Sequence, residues 1–378
     1  MQNIIQCFKK MKLSECFTFL VGGDVDKLCF SETKDDMHPY PIYANALTNK
    51  GLYGYSSKYK IKDECITITG RGDIGNVFYR KGFFTPIVRL IVAIPRENIN
   101  AKFMSYACSK IRFFNETTGV PQLTVPQVQG HKVLVPPLAE QEKIAEILGA
   151  WDSAIEKLTA LIAAKRLQKK GMMQKLLTAR IRLPGFTDEW KPLEFKDISS
   201  LIKEKYSPVS SEHHKCVELE HIEPNTARLL GYVDSSEQNS IKNKFYKKDI
   251  IFGKLRPYLK KFYKASFDGV CSTEFWVLRG KNEICLTDFL YWIIQTPKFN
   301  AVCNVASGTH MPRADWSYVS EIPFSIPTDI SEQKAIADIL SKADEEIDLL
   351  TRKLDLIQSQ KKGLMQQLLT GKIRVKVV

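Results

Sequence analysis

The 378-residue chain is basic, with 55 Lys and Arg against 42 Asp and Glu, and its 44% hydrophobic and 26% charged content is that of a folded globular protein of two or three domains. No apolar stretch reaches the length of a membrane span, and the N-terminus has no signal-peptide hydrophobic region. Nine scattered cysteines with no CxxC pair argue against a disulfide framework, so a reduced, cytoplasmic protein is expected.

Residues 1–139 carry 18 bases against 11 acids. Cys65–Thr69 and Val88–Ile94 read as alternating strands set off by Gly, Asn and Pro. Residues 48–55 read as a turn, 102–111 as a short helix and 118–123 as a loop, before 131–138 leads into a long helix. Lys58, Lys60 and Lys62, then Arg71, then Arg80 and Lys81 form a spaced basic series. Gly70-Arg71-Gly72-Asp73-Ile74-Gly75 spells GxGxxG, which binds a dinucleotide only if its last glycine opens a helix. The residues that follow are aromatic, glycine-broken and strand-like, so a glycine-rich turn is expected instead.

From Glu140 to Arg182 the chain is helical in pattern. Ile144, Leu148, Trp151, Ile155, Leu158 and Ile162 alternate spacings of four and three, the signature of a coiled-coil seam. Five acids fall before residue 161, and seven bases with no acid follow it.

Residues 183–330 balance at 19 bases and 19 acids. Segments 217–222, 249–264 and 272–280 read as strands, 288–296 as a helix and 307–313 as a loop. Lys242 to Lys264 concentrates nine bases against one acid, including Lys247, Lys248, Lys254, Arg256, Lys260 and Lys261, with aromatics between them. Such a ribbon in an otherwise neutral half points to nucleic acid, because bases neutralise phosphates and release counterions. His213, His214, Cys216 and His221 match no zinc spacing, and a strand is expected there, with no metal.

The last segment, 331–378, repeats the first helix. Glu332 to Arg374 aligns without a gap onto Glu140 to Arg182, 192 residues earlier, with 21 identities in 43 positions. Ile336, Leu340, Ile347, Leu350 and Leu354 continue the same seam, and acids again precede bases. Asp329 with Glu332 has the spacing of a capping box, and Gly371 is a helix stop. A repeated apolar seam with opposed charge halves predicts that the two helices pair antiparallel. The chain is therefore two halves of one plan, 1–139 and 183–330, each followed by the same helix. No methyltransferase Asn/Asp-Pro-Pro-aromatic tetrad, phosphate loop or HExxH is present, and no catalytic residues are expected.

The duplicated helix opening with EQ and closing with QKKG, MQ, LLT and IR, the PPLAEQ entry, and the GF-x-x-x-W opening at Gly185–Trp190 resemble the specificity (S) subunit of type I restriction-modification systems over nearly the whole length. The resemblance implies an α+β, pseudo-two-fold molecule. Two target-recognition domains of mixed β-sheet and short helices would be joined by two antiparallel coiled-coil helices. It implies double-stranded DNA as ligand, each domain reading one half of a split site in the major groove. The expected partners are two modification subunits, which methylate adenine at N6, and ATP-driven restriction subunits. S-adenosylmethionine, ATP and Mg2+ are expected on those partners, with no cofactor in this chain, and the exposed helix faces would dock the modification subunits. Transferred by position, DNA contacts fall on the basic segments named above and on two loops. There Thr118 and Gln122, and Thr309, His310 and Arg313, can bond base edges or phosphates. The first half lacks the GF-x-x-x-W opening, beginning MQNIIQCFKKMKLSECF with a second candidate start at Met11. Two rival readings are a stand-alone DNA-binding regulator whose coiled coil serves its own folding or dimerisation, and an enzyme using the GxGxxG.

Overall fold

The computed structural model describes residues 8–113, 122–208, 211–305 and 311–377. Two compact units emerge: Met1–Thr159 with Arg352–Val378, and Ala160–Thr351. These boundaries cut both long helices, where the sequence suggested four segments at 1–139, 140–182, 183–330 and 331–378. The reason is packing. Ile144 and Leu148 share one core with Met365 and Leu368, and Leu176 shares the other with Ile336 and Leu340.

Unit 1 opens with β1 (Lys9–Lys12), a one-turn helix α1 (Leu13–Cys16) and β2 (Phe17–Val21). Then come β3 (Phe30–Ser31), β4 (Tyr40–Tyr43), β5 (Leu52–Ser56), β6 (Cys65–Ile68), β7 (Val77–Arg80), β8 (Thr85–Pro86) and β9 (Ile91–Pro95). Helices α2 (Ala101–Cys108) and α3 (Val125–Gln129), strand β10 (Lys132–Val135) and the long helix α4 (Leu138–Leu176) follow. One sheet has the order β2-β9-β6-β7, a second β3-β5-β4-β8, and β1 pairs with β10. The Val88–Ile94 strand expectation is corrected at its start. Val88 and Arg89 take φ of 51° and 58°, so β9 begins only at Ile91.

Unit 2 repeats the opening with β11 (Lys191–Glu194), α5 (Phe195–Ile198) and β12 (Ser199–Ile202). Next are β13 (Lys205–Tyr206), β14 (Lys215–Val217), β15 (Val233–Asp234), β16 (Lys242–Phe245), β17 (Ile250–Gly253), β18 (Phe262–Lys264), β19 (Gly269–Ser272) and β20 (Phe275–Gly280). Helices α6 (Thr287–Ile293), α7 (Pro297–Cys303) and α8 (Trp316–Ser320), strand β21 (Pro323–Ile326) and the long helix α9 (Ile330–Leu368) complete it. The sheet β12-β20-β17-β18 matches β2-β9-β6-β7 of unit 1 strand for strand, and β11-β21 matches β1-β10. The second sheets differ, since unit 2 has five strands in the order β13-β16-β19-β14-β15. The strand expected at 217–222 stops at Val217, because Glu218 donates its N–H to the His221 ring and starts a 3-10 turn instead.

The two long helices run antiparallel inside each unit. In unit 1 Glu140 takes a bidentate pair from Arg374 (2.7 and 2.6 Å), while Asp152, twelve residues on, is held by Lys361. In unit 2 Glu332 takes Arg182 (2.7 and 2.8 Å), and Asp344 is held by Lys169. Each pair is the counterpart of the other, 192 positions along, so the repeat extends to individual side-chain contacts. The neighbouring glutamines explain why the motif is EQ. Gln141 bonds Pro136 O, Asn98 O and Asn100 N–H, and Gln333 bonds Pro327 O, Ile284 O and Leu286 N–H. Each amide thus locks its helix start to the loop before an earlier short helix, α2 in unit 1 and α6 in unit 2. Along the seam Ile144, Leu148, Leu158, Ile162, Ile336 and Leu340 are buried, while Trp151, Ile155, Ile347, Leu350 and Leu354 are half-buried.

Asp329 caps α9 by accepting the Ser331 N–H at 2.7 Å, but Glu332 does not complete a capping box because its carboxylate is engaged by Arg182 and by Trp190 Nε1. In unit 1 Phe8, 6% exposed, stands immediately before β1 as Trp190 stands before β11, with the Arg374 guanidinium 5.3 Å from its ring centroid. Residues 8–12 are therefore integral to unit 1, in a role that the missing GF-x-x-x-W had obscured.

The helix exits differ by one residue. Gly371 takes φ of 69° after α9, and its repeat counterpart after α4, Ala179, takes φ of 54°. A side chain there is strained, by about 1–2 kcal/mol. Ala179→Gly is expected to stabilise unit 2 by about 1 kcal/mol, and Gly371→Ala to destabilise unit 1 by as much, both read by calorimetry.

Candidate nucleic-acid interface

In unit 2 the loop 254–261 joins β17 to β18. Its backbone is held in an uncommon form, with Arg256 and Lys260 at φ of 50° and 49° around a 3-10 turn at Pro257–Leu259. Such conformations in non-glycine residues persist where the surroundings impose them. Here the strap is segment 311–314: Arg256 N–H donates to Pro312 O (2.8 Å), Ala314 N–H to Lys254 O (2.9 Å), and Leu255 bridges Arg313. Arg313 forks onto Glu274 (2.9 and 3.1 Å), which raises its pKa, and Lys254 N–H donates to Glu274 O. The braced loop presents Arg256 and Tyr258 to solvent.

Unit 1 builds the same arrangement from different residues. The GxGxxG stretch closes the β6–β7 hairpin, with Gly72 and Gly75 at φ of 65° and 83°, and no helix follows it. It is not a dinucleotide turn. Leu123 N–H donates to Gly70 O (2.8 Å), and Arg71 bridges Gln122 and donates to its side chain (3.2 Å). Asn45 ties the loop base to a neighbouring bend, accepting from Gly70 N–H and donating to Val88 O. A Cβ at Gly70 would lie 3.1 Å from Leu123 O and 3.3 Å from Arg89 O, so glycine permits this close approach. In both units a hairpin loop is laid beside the segment entering a short helix, α3 or α8. Each pair of loops was named separately in the sequence, and the fold brings its members together.

The expected basic residues divide sharply by environment. Lys58 and Lys60 are exposed, flanking an aromatic group in which Tyr59 meets Tyr40 and Phe83 at ring distances of 5.0 and 4.6 Å. Lys81 is exposed and paired with Glu64. Arg80 is a correction. It is 5% exposed, donates to Thr67 Oγ1 and Lys50 O, and lies 3.7 Å from the Tyr43 ring centroid, so it braces the β-sheet rather than facing a ligand. Burial lowers its pKa from the ordinary arginine value.

The Lys242–Lys264 ribbon is also not one surface. Lys242 is buried against Glu218, Lys244 pairs with Glu204 and Lys264 with Asp288, and Lys261 donates to Leu219 O. Lys247 and Lys248 are exposed in the turn before β17, at the opposite end of that strand from Lys254, Arg256 and Lys260. Thr118, Thr309 and His310 lie outside the described residues. Sequence reasoning passed over Arg89, exposed beside the unit 1 hairpin loop, and read the aromatics of the basic ribbon as more often inward-facing, whereas Tyr258 is exposed on the unit 2 loop. The left-handed backbone at Arg89 had no sequence signal.

His213 sits 3.1 Å from Asp234, His214 lies edge-on to Tyr206, and the His221 ring accepts Glu218 N–H. Among the described residues no group of three or more His, Cys, Asp or Glu is placed to hold a metal ion. Arg80→Gln is expected to cost about 2 kcal/mol of stability while leaving the salt dependence of DNA binding unchanged. The pair Lys58→Gln and Lys60→Gln is expected to do the reverse, lowering the log–log salt slope by about 1–2. Thermal melts and binding titrations across salt read both.

The model of the type I restriction modification DNA specificity domain matches residues 7–166 and again 187–359, most of the chain. The chain belongs to this family. Among relatives of this specificity family, the MjaVIII specificity subunit of Methanocaldococcus jannaschii is 26% identical over 285 residues, covering 68% of this chain and 66% of the relative. The EcoDI specificity subunit of Escherichia coli is 27% identical over 195 residues, covering 51% and 43%. The chain spans about two fifths to two thirds of the length of most of the curated relatives it matches. The fold is that of a type I S subunit from M. genitalium, with a TM-score of 0.68 over 96% of both chains at 16% identity. Each specificity-domain match spans one hairpin-loop arrangement and the first part of the helix that follows it, and the two units preserve the scaffold while exchanging the loop side chains.

Proposed function

We propose that this chain is the DNA-reading, non-catalytic subunit of a type I restriction-modification complex. The observation that carries it is the braced hairpin loop built twice on one sheet order, with Arg71 and Gln122 in one copy and Arg256, Tyr258 and Arg313 in the other. Side chains held rigidly on such loops suit base-edge readout, and the exposed lysines around them suit phosphate contact. Two different readers give a bipartite site.

The partners under this reading are duplex DNA, two modification subunits that methylate adenine at N6, and ATP-dependent restriction subunits. S-adenosylmethionine, ATP and Mg2+ would be held by those partners and not by this chain. The exposed faces of α4 and α9 are the docking surface for the modification subunits. Lys169 and Lys361 are engaged within their units and Lys170 borders a cleft of unit 2, so Lys362 is the better probe of it. Among the described residues no helix is long and apolar enough to cross a membrane.

The test is methyl transfer from labelled S-adenosylmethionine to duplex DNA by the cognate modification subunit. Transfer that requires this chain is expected. Transfer of equal rate and site choice without it would overturn the proposal.

A further inference from the structure

Unit 2 contains a cleft of about 450 Å³ bordered by α4, the β17–β18 loop, residues 225–226 and α9. A single water takes about 30 Å³, so the space admits a hydrated phosphate group. Four cations border it: Arg166, Lys169, Lys170 and Lys260. Asp344, the one acid in the lining, is already paired with Lys169. Among the described residues Arg166, Lys170 and Lys260 have no ion pair. Three uncompensated cations around one cavity raise its potential and repel one another.

The side-chain amide of Asn225 adds a neutral donor to the wall. Asn225 and Thr226 lie on a tight bend whose position is fixed, because Asn225 N–H donates to Lys260 O (3.2 Å) and the Thr226 hydroxyl to Glu223 (2.7 Å). Apolar lining is confined to Met173, Phe262 and Ile347. That is too little for the continuous apolar stripe by which a partner helix docks in a groove. Arg166 offers a planar fork of donors and Lys170 and Lys260 offer point charges, the combination that suits a phosphate.

We infer that this cleft binds phosphate, and that its occupant is a backbone phosphate of the duplex whose bases the β17–β18 loop reads. Lys260 belongs to both features, so the contact would set the depth and register of the loop without adding sequence information. The inference rests on the DNA-reading function proposed above.

The test uses the complex of this chain with its cognate modification subunit, carrying Arg166→Gln and Lys170→Gln together. Glutamine keeps helix propensity on α4. Anisotropy titrations of a methylatable duplex and a scrambled duplex, over a range of salt, are expected to show both affinities falling by the same factor. That factor is about tenfold, with a log–log slope reduced by about 1–2 and an unchanged methylation motif. An unchanged slope overturns the backbone assignment. If inorganic pyrophosphate then binds the wild-type complex one to one by calorimetry and not the variant, the phosphate belongs to a free nucleotide. Loss of co-purification with the modification subunit, at unaltered DNA affinity per complex, overturns the inference in favour of an acidic protein contact. A wild-type complex that binds neither duplex overturns the functional reading as well, which none of the other outcomes does.

Discussion

Arg182→Ala is expected to lower the unfolding temperature of unit 2 by about 10 °C. Glu332 is fully buried, and both its oxygens are taken by Arg182, with Trp190 Nε1 at 3.3 Å. Removing the arginine leaves a buried carboxylate with one weak donor, and an uncompensated buried charge costs on the order of 3–5 kcal/mol. For a unit of nearly 200 residues each kcal/mol is about 2–4 °C. Glu332→Gln should be milder, since it keeps the shape and a hydrogen bond to Trp190 without stranding a charge. Arg374→Ala should act on unit 1 in the same sense, because Glu140 is 3% exposed in the counterpart pair. Scanning calorimetry of the four proteins decides it. Melting of Arg182→Ala at the wild-type temperature would show that the repeated EQ…IR motif is not what holds each helix pair in register.

The second large effect concerns recognition. Arg256→Ala is expected to reduce methyl transfer to the cognate duplex by about 10- to 100-fold and to broaden one half-site only, because one bidentate base contact discriminates by about 1–3 kcal/mol. Arg71→Ala should broaden the other half-site. Arg256 is exposed on a loop braced by Pro312 and Arg313, so its loss removes a reader and leaves the scaffold intact. Arg71 is half-buried against Gln122, so Arg71→Lys is the control for local packing. Site preference measured on randomised duplexes separates the two units. Equal broadening of both halves by either variant would contradict independent readers.

The large-scale plan was legible because it rests on periodicity. A gapless repeat at 192 residues, a four-three seam and opposed charge halves are properties of the chain itself, and they led directly to antiparallel helices and two matching halves. The role of individual charges was not legible, because a charge is spent or free according to partners far away in sequence. Lys242 looked like part of a basic ribbon, but Glu218, just past the end of β14 in the same sheet, neutralises it. Arg80 looked solvated, yet Thr67, Tyr43 and the Lys50 carbonyl enclose it. The candidate site shows the same division. Arg71 and Gln122, 51 residues apart, and Leu255 and Arg313, at a comparable distance, were each marked by local composition in at least one member. Only the sheet order sets them side by side. Likewise Phe8 in the place of Trp190 hid the opening of the first unit, because an aromatic over an arginine is conserved in function and not in residue type.

The most direct measurement is a methylome. This chain is expressed with its cognate modification subunit in a host free of adenine methylation, and N6-methyladenine is mapped by single-molecule sequencing. The account predicts one split motif with a fixed gap, absent when either protein is omitted. A soluble complex that leaves the genome unmethylated, or methylation at a single ungapped motif, would contradict it.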